Sequence, residues 1–351
     1  PRDRMPDNVL KKPPPATAAE RFALGNPAGL YDFLRALRYA VPVELYDQWS
    51  PYIAHALTQA VGLPLVEAGA EDASCDAEVE ALRRDGLAEA PVTLDAEAVG
   101  QARAHLARFR VRDAWDRVPG EWPLDAVPMD VNVAAYDSAA AKTCLPLMML
   151  ANHPQILARV TKLLGALPTI DNVGAWWSLP GRKQAKDAQL FHIDRVCYRF
   201  VKLFIYLTDV DMDSGPHVYV AGSHLHMQTR RRLEEMKKTG SKDFARFAAM
   251  YQSVRKDDRD VFDFFGDDKV HRLVGPAGSS FLVNVGGYHK GELPKTRSRL
   301  IFECTYSLLP RLRGVYQAVA NPAFFDAAQA RYGDRVSREQ LAYINRLVVT
   351  P

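Results

Sequence analysis

The sequence predicts an α+β protein in which a mainly helical N-terminal part precedes an antiparallel β-sandwich or barrel. Up to about residue 167, apolar residues recur at helical spacing, as in LDAEAVGQARAHLARF and ANHPQILARVTKLLG. Beyond residue 170, short runs rich in β-branched and aromatic residues are separated by Asp, Ser, Gly and Pro turns: FVKLFIYL, HVYV, SSFLVNV and RLIFECTY. The change of pattern near residue 170 therefore marks the start of the β region.

The elements follow in order along the chain. Residues 1–18 carry the run Pro13–Pro15 and predict a flexible arm. Residues 19–169 predict a mainly helical part that packs on the core, and residues 170–310 predict the β core itself. A charged, helix-like insertion at 227–265 interrupts the core, and residues 311–351 predict a C-terminal helical extension.

Composition excludes collagenous, low-complexity and wholly disordered proteins. The 351 residues carry a net charge of +3, with 48% hydrophobic and 25% charged residues, as in an ordinary globular chain. Nothing here requires a nucleic-acid partner, and apolar runs such as Leu203–Leu207 are too short to span a membrane. The four cysteines form no CxxC pair, which favours reduced thiols. We expect a cytoplasmic protein that acts on a small molecule; the oligomeric state is left open.

The sharpest chemical feature is the tripeptide His192-Ile193-Asp194 within a β-rich run. Residues i and i+2 of a strand point to the same face, so this imidazole and carboxylate can meet one ion. A later histidine would complete the 2-His-1-carboxylate set of non-haem Fe(II) oxygenases. The tripeptide alone is a weak signal, because an ordinary surface strand can carry it by chance.

The surrounding sequence strengthens the signal. HID is followed by LTDVDMDSGPHVYVAGSHL and by a late His and Arg before a strand, and it is preceded by WWSLPG. Residues 150–310 thereby resemble the phytanoyl-CoA dioxygenase-like family of Fe(II)/2-oxoglutarate-dependent oxygenases. The resemblance implies a double-stranded β-helix (a cupin-like jelly roll) with a metal site at one mouth. It also implies Fe(II) and 2-oxoglutarate as cofactors, with O₂ as cosubstrate.

The third metal ligand must be chosen among His217, His224, His226, His271 and His289. We predict His289, because it ends the run SSFLVNVGGYH and Arg299 follows it by an interval that resembles the family's. Arg299 is then implied to bind the distal carboxylate of 2-oxoglutarate, for which a planar guanidinium is suited. Arg297 has the same strand parity and remains the rival, with a surface position as its expected place.

Further candidates line the same predicted face or flank it. Lys202 shares the parity of His192 and Asp194, so we expect it to help bind 2-oxoglutarate unless a bulge reverses it. Glu303 shares the parity of Arg299, and a core Arg or Lys is its expected partner. The weaker candidates for substrate binding are Trp177, Arg195, Tyr206 and Arg230. His224 is expected to make a structural hydrogen bond.

These features predict a hydroxylase that acts on an unactivated C–H of a small polar or anionic molecule, as in secondary-metabolite or glycan biosynthesis. Asp194 favours hydroxylation, since related halogenating enzymes resemble this motif with Gly or Ala at that position. The alternatives are a jelly-roll sugar isomerase or epimerase and a non-catalytic carbohydrate-binding sandwich. Residues 229–260 contain ten basic and six acidic residues. They predict a cationic lid over the site, or else a solvated helix or subunit contact.

Overall fold

The computed structural model describes residues 43–194, 197–310 and 317–351. The predicted arm at 1–18, residues 19–42, Arg195 and the start of the C-terminal extension at 311–316 lie outside the described residues. The helices are α1 Val43–Val61, α2 Cys75–Arg84, α3 Ala96–Leu106, α4 Ser138–Lys142, α5 Leu145–Ala151, α6 Pro154–Leu164, α7 His226–Lys238, α8 Phe244–Gln252, α9 Asp258–Phe265, α10 Pro322–Tyr332 and α11 Arg338–Asn345. The strands are β1 Leu87–Glu89, β2 Val111–Asp113, β3 Val133–Tyr136, β4 Thr169–Ser178, β5 Tyr198–Tyr206, β6 His217–Val220, β7 Val270–Leu273, β8 Ser280–Val283, β9 His289–Gly291, β10 Arg299–Leu309, β11 Val319–Ala320 and β12 Val349–Thr350.

Two antiparallel sheets form the core. The large sheet has the order β1-β8-β5-β10-β4-β3-β2 and the small sheet the order β7-β6-β9. Backbone hydrogen bonds between His192 and His289 add the segment before β5 to the small sheet as a fourth, very short strand. From β4 to β10, the chain thus contributes strands to both sheets. The strands β4-β10-β5-β8 of the large sheet face the small sheet, which consists of the His192 segment, β9, β6 and β7. This is the strand order of a double-stranded β-helix, and the predicted fold class is confirmed.

Alternation along each strand divides the residues between the barrel interior and the outer layers. In β5, Phe200, Phe204 and Tyr206 belong to the interior cluster, whereas Val201 and Leu203 pack outward. The outward residues join one large core with apolar side chains of α5, α6, α10 and α11. The N-terminal part therefore forms the expected helical layer, but it also supplies β1, β2 and β3 to the large sheet, which the sequence pattern did not predict.

The insertion packs against the outer face of the small sheet. Leu233, Phe247 and Phe264 of α7, α8 and α9 share a buried apolar cluster with Val218 and Tyr288 of the small-sheet region. This cluster fixes the insertion beside the edge of the barrel where the His192 segment runs. At the other end of the chain, α10 and α11 are followed by β12, which pairs in parallel with β11.

Two expectations from composition can be compared with the structure. All four cysteines are buried and form no disulfide. Within the described ranges, no helix combines the length and the apolar character that crossing a membrane requires.

Candidate metal centre

His192, Asp194 and His289 meet at one end of the barrel. Their ligand atoms all lie within 4.8 Å of one another. The Nε2 atoms of His192 and His289 lie 3.7 and 3.9 Å from the two carboxylate oxygens of Asp194. The sequence pattern predicted a regular strand for His192 and Asp194. Instead, both residues lie just before β5, where backbone hydrogen bonds tie them to His289 and Val285. The pairing of His192 with His289 brings the distant ligand to the tripeptide.

The backbone fixes the orientation of both imidazoles. The Nδ1 atom of His192 lies 2.9 Å from the carbonyl oxygen of Leu190, and that of His289 lies 2.9 Å from the carbonyl oxygen of Gly287. A carbonyl oxygen only accepts hydrogen bonds, so each Nδ1 carries the proton. Each Nε2 is then left with its lone pair directed into the site, which is the arrangement found around metal-binding histidines.

Burial and neighbouring charges set the ionisation of the three groups. Burial lowers the pKa of His192 to about 3, with a further contribution from His289, and it also lowers the pKa of His289. Burial alone would raise the pKa of Asp194, but the adjacent Lys202 ammonium outweighs it and holds that pKa well below its usual range. The site therefore presents two neutral imidazoles and one carboxylate, the forms that bind a metal.

Lys202 supports the carboxylate ligand from inside the barrel. Its Nζ atom donates to Asp194 over 2.9 Å and to Glu303 over 2.8 Å. Asn172 donates to the other oxygen of Glu303 over 3.3 Å. Burial would lower the pKa of Lys202, but the two carboxylates raise it above its ordinary value. The structure thus brings Lys202 to the site and gives Glu303 the core lysine that its parity led us to expect.

Arg299 is the buried arginine of this end of the barrel. It begins β10 opposite Ser178 of β4 and is only 3% exposed. Its Nη1 atom donates to the carbonyl oxygen of Gly215, and its Nη2 atom donates to the Ser178 hydroxyl over 3.0 Å. Its Nε atom is buried without a hydrogen-bond partner among the described residues. Arg297, by contrast, is exposed and pairs with Asp211 on the surface.

His217 is a site residue that the sequence analysis did not choose. It is 5% exposed, and its ring stacks on His289 with the centroids 5.6 Å apart. Burial lowers its pKa well below the ordinary value, with contributions from His289 and Arg299. Its Nε2 atom, like Nε of Arg299, has no hydrogen-bond partner within the described part of the chain. These two buried polar groups leave hydrogen-bonding capacity in the barrel interior for water or a polar ligand.

The aromatic candidates take different positions. Trp177 faces outward and donates from its indole N–H to the hydroxyl of Tyr136 over 3.0 Å, so it does not line the barrel. Trp176, one residue earlier and of opposite parity, packs against the interior cluster. Tyr206 does lie inside, but its hydroxyl donates to the Leu273 carbonyl and accepts from the backbone N–H of His217. That hydroxyl ties the two sheets together.

Three further candidates lie in the described part of the chain, and none of the three belongs to the metal-ligand group. Arg230 lies on α7 in the insertion. His224 makes the expected structural contact, with Nε2 lying 3.0 Å from the Arg83 carbonyl oxygen. His271 is an exposed residue of β7. The prediction for Arg195 falls outside the described residues.

Among known proteins, solved structures of low sequence identity are similar to this chain. No protein-family model matches the chain, and no curated protein matches its sequence. Among solved structures, the chain is similar to the non-haem α-ketoglutarate-dependent carbocyclase SnoK from nogalamycin biosynthesis, with 20% identity and a TM-score of 0.42 over 68% of this chain and 86% of that one. It is also similar to HygX from Streptomyces hygroscopicus with nickel and 2-oxoglutarate bound, with 16% identity and a TM-score of 0.42 over 69% and 90% of the two chains. At this level of similarity, the activities of these proteins do not transfer to this chain.

Proposed function

We propose that this chain is an Fe(II)- and 2-oxoglutarate-dependent oxygenase of the phytanoyl-CoA dioxygenase-like kind. The observation that carries the proposal is the convergence of two imidazole Nε2 lone pairs and one carboxylate at the end of a double-stranded β-helix. Three protein ligands on one side of an ion leave the opposite positions for cosubstrate and O₂. Fe(II) with 2-oxoglutarate supplies the oxidising chemistry when bound, and the chain supplies placement and charge.

The donor set of the barrel suits a dianionic cosubstrate. Arg299 is buried and positively charged, and its free Nε atom is available to a carboxylate. The neighbouring Nε2 of His217 offers a second group without a partner. We therefore assign the distal carboxylate of 2-oxoglutarate to Arg299, with His217 beside it. For Lys202, whose charge is already shared by Asp194 and Glu303, we propose instead that it orients Asp194.

The reaction we propose is hydroxylation of an unactivated C–H in a small polar or anionic molecule. Asp194 occupies the carboxylate position of the ligand set, so no metal position is freed for a halide. The interior side chains Phe204, Phe281 and Trp176 provide an apolar wall that limits water near the reacting carbon. His192, Asp194 and His289 are the catalytic residues of this proposal, because they hold the reacting metal.

The test measures metal binding and 2-oxoglutarate turnover together. Purified protein should bind one Fe(II) per chain and form succinate slowly from 2-oxoglutarate and O₂ even without substrate. His289→Ala should lose both properties, whereas His271→Ala, a matched change at an exposed residue of β7, should retain them. The reverse pattern would show that the ligand set is misassigned. Metal binding without any succinate would favour an isomerase or epimerase, and stable metal-free protein that still binds sugar would favour a binding module.

A further inference from the structure

The insertion sends one backbone segment to the metal ligands. Between α8 and α9, Lys256 donates its backbone N–H to the carbonyl oxygen of Phe191 over 2.8 Å, and the two residues form an antiparallel bridge. His192 is paired with His289 on its other side. The residues that precede and include the first metal ligand are therefore flanked by the insertion on one side and by β9 on the other.

The bridge determines which side chain faces the site. Phe191 is fully buried in the cluster outside the small sheet, and the Lys256 ammonium lies 5.3 Å from the ring centroid of Tyr288 in that same cluster. In an antiparallel pairing, the residue before Lys256 stands opposite the residue after Phe191. That places Arg255 across from His192, on the face that carries the metal ligands, where directly opposed Cβ atoms lie about 5 Å apart.

Charge interactions agree with this placement. Partial burial lowers the pKa of Arg255, and the carboxylates of Asp187 and Asp194 act in the opposite direction. The charge of Arg255 in turn contributes to the lowered pKa of His192. Asp187 is already occupied, because Arg117 donates to its two oxygens over 2.6 and 2.5 Å. Arg255, Arg117 and Asp187, which lie outside the ligand set, thus carry a net charge of +1.

The guanidinium of Arg255 has no hydrogen-bond or ion-pair partner among the described residues, unlike three of the other arginines of the insertion. Arg246 pairs with Asp260 and Asp263, Arg259 lies 3.7 Å from Asp263, and Arg232 donates to the carbonyl oxygen of Phe264. No described side chain or carbonyl accepts a hydrogen bond from the guanidinium of Arg255. A planar cation held beside the metal ligands and left without an anion is suited to bidentate recognition of one.

We propose that Arg255 binds an anionic oxygen group of the primary substrate, a carboxylate or a phosphate, and so fixes which end of the substrate lies at the mouth of the site. This inference rests on the proposed oxygenase function and identifies the substrate class. Arg255 acts as a specificity-determining residue. The other basic residues of the insertion are not required for it, in contrast to the diffuse cationic lid that the charge count suggested.

The experiment uses the full chain loaded with Mn(II) and 2-oxoglutarate, and phenyl phosphate as the anion probe. Bound Mn(II) accelerates the ³¹P relaxation of a phosphate held nearby, and the effect falls steeply with distance. We expect a clear enhancement in the wild type and about tenfold weaker probe binding in Arg255→Gln, the loss that one charge-assisted contact produces. Benzoate, followed through its ¹³C-labelled carboxylate, distinguishes a carboxylate site from a phosphate site; dependence on Arg255 with either probe supports the proposal.

Arg259→Gln is the matched control, since it removes the same charge from the same insertion at a side chain that is 84% exposed. It should bind the probes like the wild type, and Arg255→Lys should retain part of the binding. Equal relaxation in the wild type and Arg255→Gln would place the anion on the metal or elsewhere and overturn the inference, as would no enhancement with either probe. Failure to bind Mn(II) or 2-oxoglutarate would instead refute the proposed function, and those two titrations are measured first.

Discussion

Replacing Lys202 with Met tests whether the barrel interior depends on one buried cation. In the native chain, the ammonium stands between Asp194 and Glu303 at 2.9 and 2.8 Å. The Lys202, Asp194 and Glu303 side chains are only 12%, 21% and 10% exposed. Methionine keeps much of the side-chain volume and removes the charge. Two carboxylates in the same interior are then left without a cation between them.

The expected cost follows from the burial. Removing one partner of a buried ion pair costs about 3–5 kcal/mol, because the remaining charge stays desolvated. Unfolding entropy of about 2.1 cal/mol/K per residue, over 351 residues, gives roughly 0.74 kcal/mol/K near the midpoint. If the chain unfolds in one transition, Lys202→Met should lower the Tm of the metal-free protein by about 4–7 °C.

Differential scanning calorimetry of metal-free protein measures the effect, and a double-mutant cycle assigns it. Glu303→Leu in the Lys202→Met background removes one of the two unpaired carboxylates, so the double variant should be more stable than the sum of the single losses predicts, by about 1 kcal/mol or more. Mn(II) should restore part of the stability of Lys202→Met, because the ion supplies positive charge beside Asp194. A Tm within 1 °C of the wild type, or strictly additive losses, would refute the buried-triad reasoning.

Three further predictions concern other residues. Arg299→Leu should weaken 2-oxoglutarate binding to the Mn(II)-loaded protein by about 10- to 100-fold. It should hardly affect the binding of 2-oxopentanoate, which lacks the distal carboxylate. The same change at the exposed Arg297 provides the control, and equal losses for both acids would contradict the assignment. Gly291→Ala would place a Cβ 2.6 Å from Nη2 of Arg299, so it should displace the guanidinium and reduce the same affinity by a smaller factor. Burial, with Arg331 and Arg335, lowers the pKa of His153 from 6.5 to about 4, so the unfolded chain binds a proton that the folded chain does not, and stability should fall as the pH drops from 6.5 to 4. His153→Asn, which can still cap α6, should show a smaller decline in Tm over that interval, and parallel curves would exclude His153 as the cause.

The fold was predictable where short-range patterns determine it. The runs FVKLFIYL and RLIFECTY became β5 and β10, and the helix around ANHPQILARVTKLLG became α6, ended by Gly165 at a φ of 80°. The strands β1 to β3 have three or four residues each and lie within the part that the sequence pattern assigned to helices, so they were not predicted. Such strands are fixed by pairing with distant neighbours, as Leu87 is with Val283, and a sequence window does not contain that information.

The site residues, too, were predictable where a local sequence pattern identifies them and not where the pairing of distant segments places them. His192 and Asp194 were chosen from a local motif, and His289 and Arg299 from an interval that resembles the family's. All four lie at the same end of the barrel. Trp177 was named as a candidate, but nothing in WWSLPG indicates which of the two tryptophans faces inward. The pairing of β4 with β10 determines that it is Trp176. The SGPHVYV run contained the only signal for His217, an imidazole on a strand of otherwise apolar residues. Arg255 was indistinguishable from nine other basic residues of the insertion until the bridge to Phe191 was known.

Under the proposed function, the charges in the barrel interior favour joint binding of a metal and 2-oxoglutarate. Lys202 and Arg299 contribute two positive charges, and Asp194 and Glu303 contribute two negative charges, while burial keeps the imidazoles neutral. The interior without ligands is therefore balanced. A divalent cation alone, or a dicarboxylate alone, would leave two uncompensated charges in a poorly solvated space, whereas the two together restore the balance. Arg299 is fixed by Gly215 and Ser178, and Asp194 is fixed by Lys202. The chain thus holds in place the charges that the two proposed ligands would meet, so each ligand would lower the electrostatic cost of binding the other.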